Sequence, residues 1–169
     1  MDDITLRLWD AGDLALLHRA NTVEMTTHLN GPESDTEVAD RHARYLRCLT
    51  SGEAQMFVIL RGGHAVGSIG FWKTTWKQEP AFETGWFVLP EAQGHGIAGR
   101  ALAALLEEIH RHQDARHWLV AFPETANPAS NAICRRAGFA LVGSSTETFR
   151  SADLTINEWV LDLRAPVSS

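Results

Sequence analysis

The sequence predicts an α/β or α+β layer fold built on a mixed sheet. Three observations support this class. Runs typical of strands and of helices follow one another in the order β α α β β β α β α β β. The strands of the first half form an antiparallel meander, whereas an amphipathic helix separates two strands of the second half. The length of 169 residues fits a single domain covering residues 1–169.

The first half of the chain combines helix-capping signals with short alternating strands. Asp10 or Asp13 can cap a short helix that ends near Ala20. Ser34 or Asp35 can cap a second helix. The elements expected here are a strand Ile4–Leu8, the short helix, a helix Thr36–Leu49, and strands Gln55–Leu60 and Ala65–Trp72.

The second half begins with an apolar strand, Phe82–Leu89. It is polar only at Glu83 and Thr84, so we expect it at the centre of the sheet. The helix that follows has an apolar stripe consisting of Leu102, Leu105, Leu106 and Ile109. A strand His117–Phe122 comes next and can run parallel to Phe82–Leu89 through a right-handed crossover. The last elements are a helix that Pro128 opens and Gly138 stops, and strands Phe139–Gly143 and Leu154–Leu163.

Composition and charge exclude several classes of function. Apolar residues make up 44% and charged residues 21% of the chain, proportions typical of a globular protein. A formal net charge of −6 argues against a nucleic-acid partner. No apolar run is long enough to span a membrane, and Met1–Thr5 lacks the features of a signal peptide. We therefore expect a cytoplasmic protein without a membrane partner, in which Cys48 and Cys134 are free thiols.

A glycine-rich turn, Pro90–Gly99, lies between the central strand and the amphipathic helix. Such a turn presents free backbone N–H groups and the positive end of a helix dipole, which together bind anions, most often phosphate. Two motifs fit it. The glycines at 94, 96 and 99 spell G-x-G-x-x-G, the dinucleotide-binding fingerprint. Gln93, Gly96 and Ala98 spell Q-x-x-G-x-A, the pyrophosphate loop of acetyl-CoA-dependent N-acetyltransferases.

The dinucleotide interpretation is the weaker of the two. In a dinucleotide fold the glycines follow the strand directly, and further βαβ units come after them. Here Pro90–Gln93 separates the strand from the first glycine, and the chain after Glu124 has room for only one more helix and a β pair. A third possibility is a tight strand-to-helix connection that binds no ligand.

A second polar constellation lies on the last predicted helix. Asn127, Ser130, Asn131 and Cys134 are spaced i, i+3, i+4 and i+7, so they share one face of that helix. Such a face either contacts polar partners or is simply solvated. The spacing alone does not decide between these alternatives.

Two blocks of sequence resemble a known family. The segment Asn127–Phe139, N-P-A-S-N-A-I-C-R-R-A-G-F, resembles the second conserved block of the GNAT acetyltransferase superfamily, in particular its ribosomal-protein-alanine N-acetyltransferase branch. The run Gly85–Gly96 resembles the family's cofactor block, and the predicted elements match the family over Ile4–Leu163. The resemblance implies the GNAT fold. This is a mixed, mostly antiparallel central sheet of about six to seven strands, flanked by about four helices, with a splayed central pair of parallel strands.

The resemblance also implies acetyl-CoA (coenzyme A) as the acyl donor. In the family, loop N–H groups wrap the pyrophosphate and pantetheine inserts beside the central strand. An N–H near Val88 would polarise the thioester carbonyl, and Arg100, Arg135 and Arg136 would add local positive charge. Carried over residue by residue, the implied binding residues are Phe87, Val88, Leu89, Gln93, Gly94, His95, Gly96, Ala98, Gly99, Arg100, Asn127 and Ser130.

The implied chemistry is direct attack of a primary amine on the thioester in a ternary complex, which requires a proton acceptor. Glu83 matches the position of the family's catalytic glutamate; alternatively it is a strand carboxylate that meets solvent or a cation. The family's tyrosine, which protonates the leaving thiolate, is replaced by Cys134. Ser130 can serve instead, or it only forms local hydrogen bonds, and the donor is then Cys134 or water. We interpret Cys134 as a packed small residue and not as an acyl carrier.

The acceptor is less well defined. The implied acceptor side holds His28, Trp72, Trp76 and Glu83, and aromatic rings beside acids suit a cationic amine. The tryptophans can instead pack in the core or at a dimer contact. The acceptor is therefore either a peptide N-terminus or a small cationic amine such as an antibiotic or polyamine, unless the chain is a non-catalytic acyl-CoA-binding module. The sequence predicts no metal site and leaves the oligomeric state open, a homodimer included.

Overall fold

The computed structural model describes residues 3–112 and 114–165. Within these residues the chain forms a seven-stranded sheet of order β1-β2-β3-β4-β5-β7-β6. The strands are β1 (Ile4–Leu8), β2 (Ala54–Arg61), β3 (His64–Trp76), β4 (Glu79–Val88), β5 (Trp118–Ala121), β6 (Ala140–Phe149) and β7 (Ala152–Asp162). The α-helices are α1 (Leu14–Ala20), α2 (Asp35–Ser51), α3 (Ile97–Arg111) and α4 (Pro128–Arg136). The predicted order of strands and helices is confirmed.

β4 and β5 form the parallel pair of this sheet, as the sequence predicts. β1 to β4 pair antiparallel in chain order, and β7 pairs antiparallel with both β5 and β6. β4 and β5 pair only at Phe82 with Leu119 and at Glu83 with Val120. β4 nevertheless continues to Val88 against β3. The two central strands therefore diverge after Glu83, and the predicted splay is confirmed.

β5 leaves β4 because the chain after it follows β7. The N–H of Asn157 donates to the carbonyl of Pro123 at 2.8 Å, and the N–H of Thr125 donates to the carbonyl of Thr155 at 2.9 Å. The backbone groups that follow β5 thus find their partners on β7. The gap between β4 and β5 widens as a result.

Each face of the sheet is covered by one helix pair. α3 and α4 cover one face, where Leu102 and Leu105 of the predicted stripe are fully buried. Burying a leucine side chain completely stabilises the fold by about 2 kcal/mol. Leu106, which belongs to the same stripe, is only partly buried. α1 and α2 cover the other face, where Leu17 and Val38 are fully buried.

The caps of α2 agree with the predicted capping signals. The Oγ of Ser34 accepts the N–H of Glu37, and the Glu37 carboxylate accepts the N–H of Ser34, both at 3.2 Å. This reciprocal pair is a capping box, which satisfies two backbone donors at the helix start. The helix ends at Gly52, whose φ of 81° is the left-handed conformation that favours glycine.

Several predicted strand boundaries were wrong. β4 begins at Glu79 and not at Phe82. β3 continues beyond Trp72 to Trp76, so Trp76 lies on a strand. β6 likewise continues beyond residue 143 to Phe149. Both strands end in two-residue turns of positive φ, formed by Lys77 and Gln78 in the first hairpin. The second turn has the same conformation and consists of Arg150 and Ser151.

The described ranges, 3–112 and 114–165, contain neither a membrane-spanning helix nor a metal-binding cluster. No helix there combines the length and the apolar character needed to cross a bilayer. No group of three or more His, Cys, Asp or Glu side chains in those ranges lies close enough together to hold a metal ion.

Gly67 allows β3 to approach β4 where β4 has lost its contact with β5. A Cβ atom at this position would lie 2.2 Å from the carbonyl oxygen of Phe87 and 3.1 Å from the Cα of Val88. Both atoms belong to backbone, which cannot rotate away as a side chain can. Only glycine fits here without displacing the strand that borders the gap.

We expect Gly67→Ala to lower the free energy of unfolding by about 1–3 kcal/mol, because the added methyl group must push the two strands apart. Urea denaturation followed by circular dichroism measures the change. Gly143→Ala is the matched control, since a Cβ there would meet nothing closer than a Glu158 oxygen at 4.0 Å. Equal stability of the two variants would contradict the tight approach of β3 to β4.

Candidate functional site

A cavity of about 1310 Å³ opens where β4 and β5 diverge. It brings together predicted site residues from four separate segments of the chain. These residues are His28, Phe87, Val88, Gln93, Gly94, Gly96, Ala98, Gly99, Arg100, Asn127 and Ser130. The other predicted site residues, Trp72, Trp76, Glu83, Leu89 and His95, do not line it.

One end of the cavity is formed by the glycine loop and the first turn of α3. Gly94 and Gly96 have φ values of 81° and 71°, and Gly96 is the N-cap of α3. A Cβ at Gly94, Gly96 or Gly99 would meet no atom within 4 Å, so open space adjoins all three glycines. The first N–H groups of an α-helix have no partner within that helix. The loop therefore offers an open, electropositive backbone cradle for an anion.

The conformation of this loop is held by side chains of the motif itself. The Gln93 amide donates to the carbonyl of Val88 at 2.8 Å, which ties the loop to the end of β4. His95 Nδ1 donates to the carbonyl of Gln93 at 2.9 Å, and Arg100 donates to the carbonyl of His95 at 3.2 Å. His95 thus supports the loop from outside the cavity.

Val88 and Leu89, at the end of β4, direct their backbone N–H groups to opposite sides of the strand. Leu89 is buried, and its N–H already donates to the carbonyl of Val66 on β3 at 2.8 Å. It therefore has no N–H left for a ligand, contrary to the expectation from the sequence. Neighbouring residues of a strand direct their backbone groups to opposite edges, so the N–H of Val88 is directed away from β3, towards the gap.

The start of α4 supplies the opposite wall. Asn127 caps the helix by accepting the N–H of Ser130 at 3.2 Å, and its amide nitrogen donates to the Ser130 Oγ at 3.2 Å. Both residues line the cavity. Ser130 therefore makes the local hydrogen bond considered above and also faces the space where a ligand would lie.

Asn131, the next residue, points inward and joins three parts of the fold. Its amide nitrogen donates to the carbonyls of Glu124 at 2.9 Å and Asn127 at 2.7 Å. Its Oδ1 accepts from the side chains of Asn157 and Trp159, both at 2.8 Å. Asn131 is thus a structural residue, and the predicted polar face divides into Ser130 towards the cavity and Asn131 towards the core.

Cys134 is fully buried one turn further along α4. Burial raises the pKa of its thiol to about 12. At neutral pH the residue is therefore a thiol and not the thiolate that an acyl carrier requires.

Glu83 and Trp72 lie side by side on β4 and β3, where the β4–β5 contact stops. Burial raises the pKa of Glu83, and the charge of Glu147 on β6 raises it further, while a hydrogen bond with Trp72 acts in the opposite direction. A carboxyl group with a raised pKa takes up a proton more readily than an exposed glutamate does. Neither Glu83 nor Trp72 reaches the cavity lining.

Trp76 packs against other strands, away from the cavity. Its Nε1 donates to Glu158 on β7 at 2.6 Å, and its ring meets the ring of Trp118 edge to face, with centroids 5.4 Å apart. Trp118 donates in turn to Glu79 at 2.6 Å. These contacts correspond to the packing role weighed above. An acceptor-binding role for Trp76 stays a prediction.

The sequence did not reveal the hydrogen bond between His28 and Glu124. His28 Nδ1 lies 2.9 Å from Glu124 Oε2, and both side chains are partly buried. Glu124 follows β5, where it forms a bridge with Ile156 of β7. The two residues are 96 positions apart, so no local pattern could have indicated the pair.

The segment around His28 is fastened to the tip of the β6–β7 hairpin. Asn30, with a φ of 60°, donates through its amide to the carbonyl of Phe149 at 2.7 Å. Arg150 donates to the carbonyl of Gly31 at 2.6 Å and lies 3.4 Å from Glu33. The connection between α1 and α2 is therefore joined to the hairpin tip by several hydrogen bonds.

Side chains of both charges line the cavity. Arg100 in the first turn of α3 and Arg136 at the end of α4 are the arginines of the lining, and its carboxylates are Glu24, Glu107 and Asp162. Arg135, expected to assist with phosphate, instead lies over the ring of Trp159 at 5.3 Å.

Comparisons with known proteins give a consistent assignment. The model of the acetyltransferase (GNAT) domain family matches residues 3–140. The ribosomal-protein-serine acetyltransferase of Escherichia coli strain K12 is 32% identical over 92 residues, which are 54% of this chain and 50% of that protein. The chain thus matches about half the length of this curated relative.

Solved structures resemble the chain over nearly its whole length. A ribosomal-protein-alanine N-acetyltransferase from Brucella melitensis has a TM-score of 0.77 at 26% identity, covering 94% of this chain and 99% of that one. The yncA protein of Salmonella typhimurium, a putative acetyltransferase solved with acetyl-CoA, has a TM-score of 0.76 at 22% identity and covers 98% and 96%. The predicted fold is therefore confirmed.

Proposed function

Because the chain belongs to the GNAT acetyltransferase family, we propose that it is a single-domain enzyme that transfers an acetyl group from acetyl-CoA to a primary amine. The observation that carries the proposal is the cavity at the divergence of β4 and β5, into which the glycine loop and the starts of α3 and α4 all open. The cytoplasmic location expected from the sequence belongs to the same proposal.

The residues around the cavity fit the chemical groups of acetyl-CoA. The open space beside Gly94, Gly96 and Gly99 lets a pyrophosphate approach the backbone N–H groups. Arg100 and Arg136 would add charge-assisted hydrogen bonds to phosphate oxygens. The edge of β4 that faces the gap and the start of α4 would hold the pantetheine arm of coenzyme A, which ends in the thioester.

The proposed reaction is direct attack of the amine nitrogen on the thioester carbonyl carbon. A C–N bond forms, the C–S bond breaks, and the sulfur leaves with the electron pair. The N–H of Val88 would stabilise the charge that develops on the carbonyl oxygen. Glu83 would take the proton that the amine loses, through water where direct contact is absent. Ser130 would return a proton to the sulfur.

The identity of the acceptor is the least constrained part of the proposal. The E. coli relative is named for a ribosomal-protein serine and the Brucella structure for a ribosomal-protein alanine. These names favour a peptide N-terminus. Glu124, which contacts His28, and Glu24, which lines the cavity, suit any acceptor that arrives as a cation, including a small polyamine or antibiotic.

The proposed function predicts that amines stimulate the release of coenzyme A thiol from acetyl-CoA. A thiol-reactive dye measures the release over a panel of peptides with free N-termini, polyamines and aminoglycosides, with acetylated peptides as the matched control. Tight binding of coenzyme A without stimulated release would indicate the non-catalytic acyl-CoA-binding module instead. Binding of NADH without binding of coenzyme A would restore the dinucleotide interpretation.

We expect Gly99→Val to weaken coenzyme A binding on the order of 100-fold, because its side chain fills the space beside the N–H groups that would otherwise bond the pyrophosphate. Calorimetric titration with coenzyme A measures the affinity. Gly99→Ala, which adds a single methyl group, should have an intermediate effect. The fold should be retained in both variants, since nothing lies within 4 Å of a Cβ at this position. Unchanged affinity in Gly99→Val would contradict the cradle.

We expect Glu83→Gln to lower kcat/KM about 100-fold near neutral pH, because the proton acceptor is lost. At high pH the amine is already unprotonated, so the two enzymes should converge. The measurement is the pH profile of kcat/KM at saturating acetyl-CoA. A profile that runs parallel to that of the wild type at every pH would remove Glu83 from this role.

Glu147→Gln is the control for this assignment. The charge of Glu147 raises the pKa of Glu83, so its removal lowers that pKa. Glu83 would then stay ionised to more acidic pH. The acidic limb of the profile should shift to lower pH, and the plateau should keep its height.

A further inference from the structure

We propose that His28, held by Glu124, is the residue that binds the acceptor's ammonium group through its Nε2 atom. The proposal rests on the proposed function and adds to it the group that recognises the acceptor. Only His28 of the residues expected to bind the acceptor lines the cavity. Its partner, Glu124, lies in the segment that follows β5.

The hydrogen bond to Glu124 determines which atom of His28 can bind a ligand. A carboxylate only accepts hydrogen bonds, so the Nδ1 atom 2.9 Å from Glu124 Oε2 carries the proton. A neutral imidazole with its proton on Nδ1 has its lone pair on Nε2. Within residues 3–112 and 114–165, Nε2 of His28 has no hydrogen-bond partner. It is therefore an acceptor that lacks a donor, on a residue that lines the cavity.

The position of the pair is fixed from both sides. The backbone carbonyl of Glu124 accepts a hydrogen bond from the Asn131 amide at 2.9 Å, and its backbone forms a β-bridge with Ile156. These contacts fix the backbone that carries the carboxylate. His28 lies in the segment that Asn30 fastens to the β6–β7 hairpin. A ring supported in this way keeps its lone pair in one direction, as an oriented binding group requires.

The charge of the pair selects a cation. The pair offers a carboxylate next to an imidazole, and both side chains are partly buried, so solvent screens the charge of the carboxylate less than it would at the surface. Glu24, one of the acids of the cavity lining, lies in the same connection between α1 and α2 as His28. An ammonium group has N–H donors for the lone pair of His28 Nε2 and a positive charge that the nearby carboxylates attract. A peptide N-terminus and a small polyamine share this chemistry.

The test compares His28→Asn and Glu124→Gln with the wild type in steady-state kinetics at saturating acetyl-CoA. Asparagine keeps a donor near the position of Nδ1 for Glu124 but has no atom at the position of Nε2. Glutamine keeps an acceptor for His28 but removes the charge. His18→Asn is the matched control, since His18 lies on α1, 4.0 Å from the exposed Asp35 and outside the cavity lining.

We expect both variants to raise the acceptor KM about tenfold or more, the effect of one lost hydrogen bond to a charged group. kcat should change less than KM, and the affinity for coenzyme A should stay that of the wild type. A short peptide with a free N-terminus and a diamine are tested in parallel. The KM should rise for both, and the substrate with the higher kcat/KM in the wild type identifies the source of the ammonium group.

Three results would overturn the proposal. An unchanged KM in His28→Asn would show that Nε2 does not bind the acceptor. A fall in kcat at constant KM would place the pair in the chemical step instead. Weaker coenzyme A binding in both variants would mean that the pair shapes the donor site. Failure of the proposed function is distinct from these, because the wild type itself would then transfer acetyl groups to no amine, and the assignment of His28 would fall with it.

Discussion

The early end of the contact between β4 and β5 is the constraint on which the rest of the site depends. The two strands pair at only two positions, after which β4 follows β3 and the chain beyond β5 follows β7. α3 starts after β4 and α4 starts after β5, so the positive ends of both helices face one gap. The β4 backbone that has lost its neighbour needs other partners. The Gln93 amide supplies one of them to Val88, and a ligand that lies along β4 would supply more.

The position of α4 depends on buried polar contacts more than on the helix itself. α4 has 9 residues, too few to be stable without tertiary contacts. Asn131 provides these contacts, because its amide bonds the segment after β5 and its Oδ1 bonds two residues of β7. Two of the four hydrogen bonds of this buried amide reach β7, the strand that draws β5 away from β4, and a third holds the segment after β5. The same network therefore opens the gap and places Ser130 on its wall.

Much of the fold could be predicted because its signals are local. Helix caps, apolar periodicity and the glycine loop lie within a few residues of one another, and the structure has the predicted elements in the predicted order. The two hairpin tips were missed for a physical reason. Lys77 and Gln78 adopt positive φ without the Gly or Asn that normally indicates such a turn, and the turn at residues 150–151 does the same. The site could be predicted where a motif carries it, in the loop and at Asn127. The His28–Glu124 contact joins segments that only the sheet topology brings together.

An acidic chain can present an anion site because net charge and local field are separate quantities. The glycine cradle attracts phosphate with neutral N–H groups of oriented backbone, supported by Arg100 and Arg136. The carboxylate of Glu124 lies beside His28, and that of Glu24 lines the cavity. Salt screens exposed charges over roughly 8 Å under physiological conditions, so carboxylates elsewhere on the surface act only weakly on the cradle. The formal charge of −6 therefore does not oppose a phosphate-rich donor, and the carboxylate beside His28 is compatible with the proposed cationic acceptor in the same cavity.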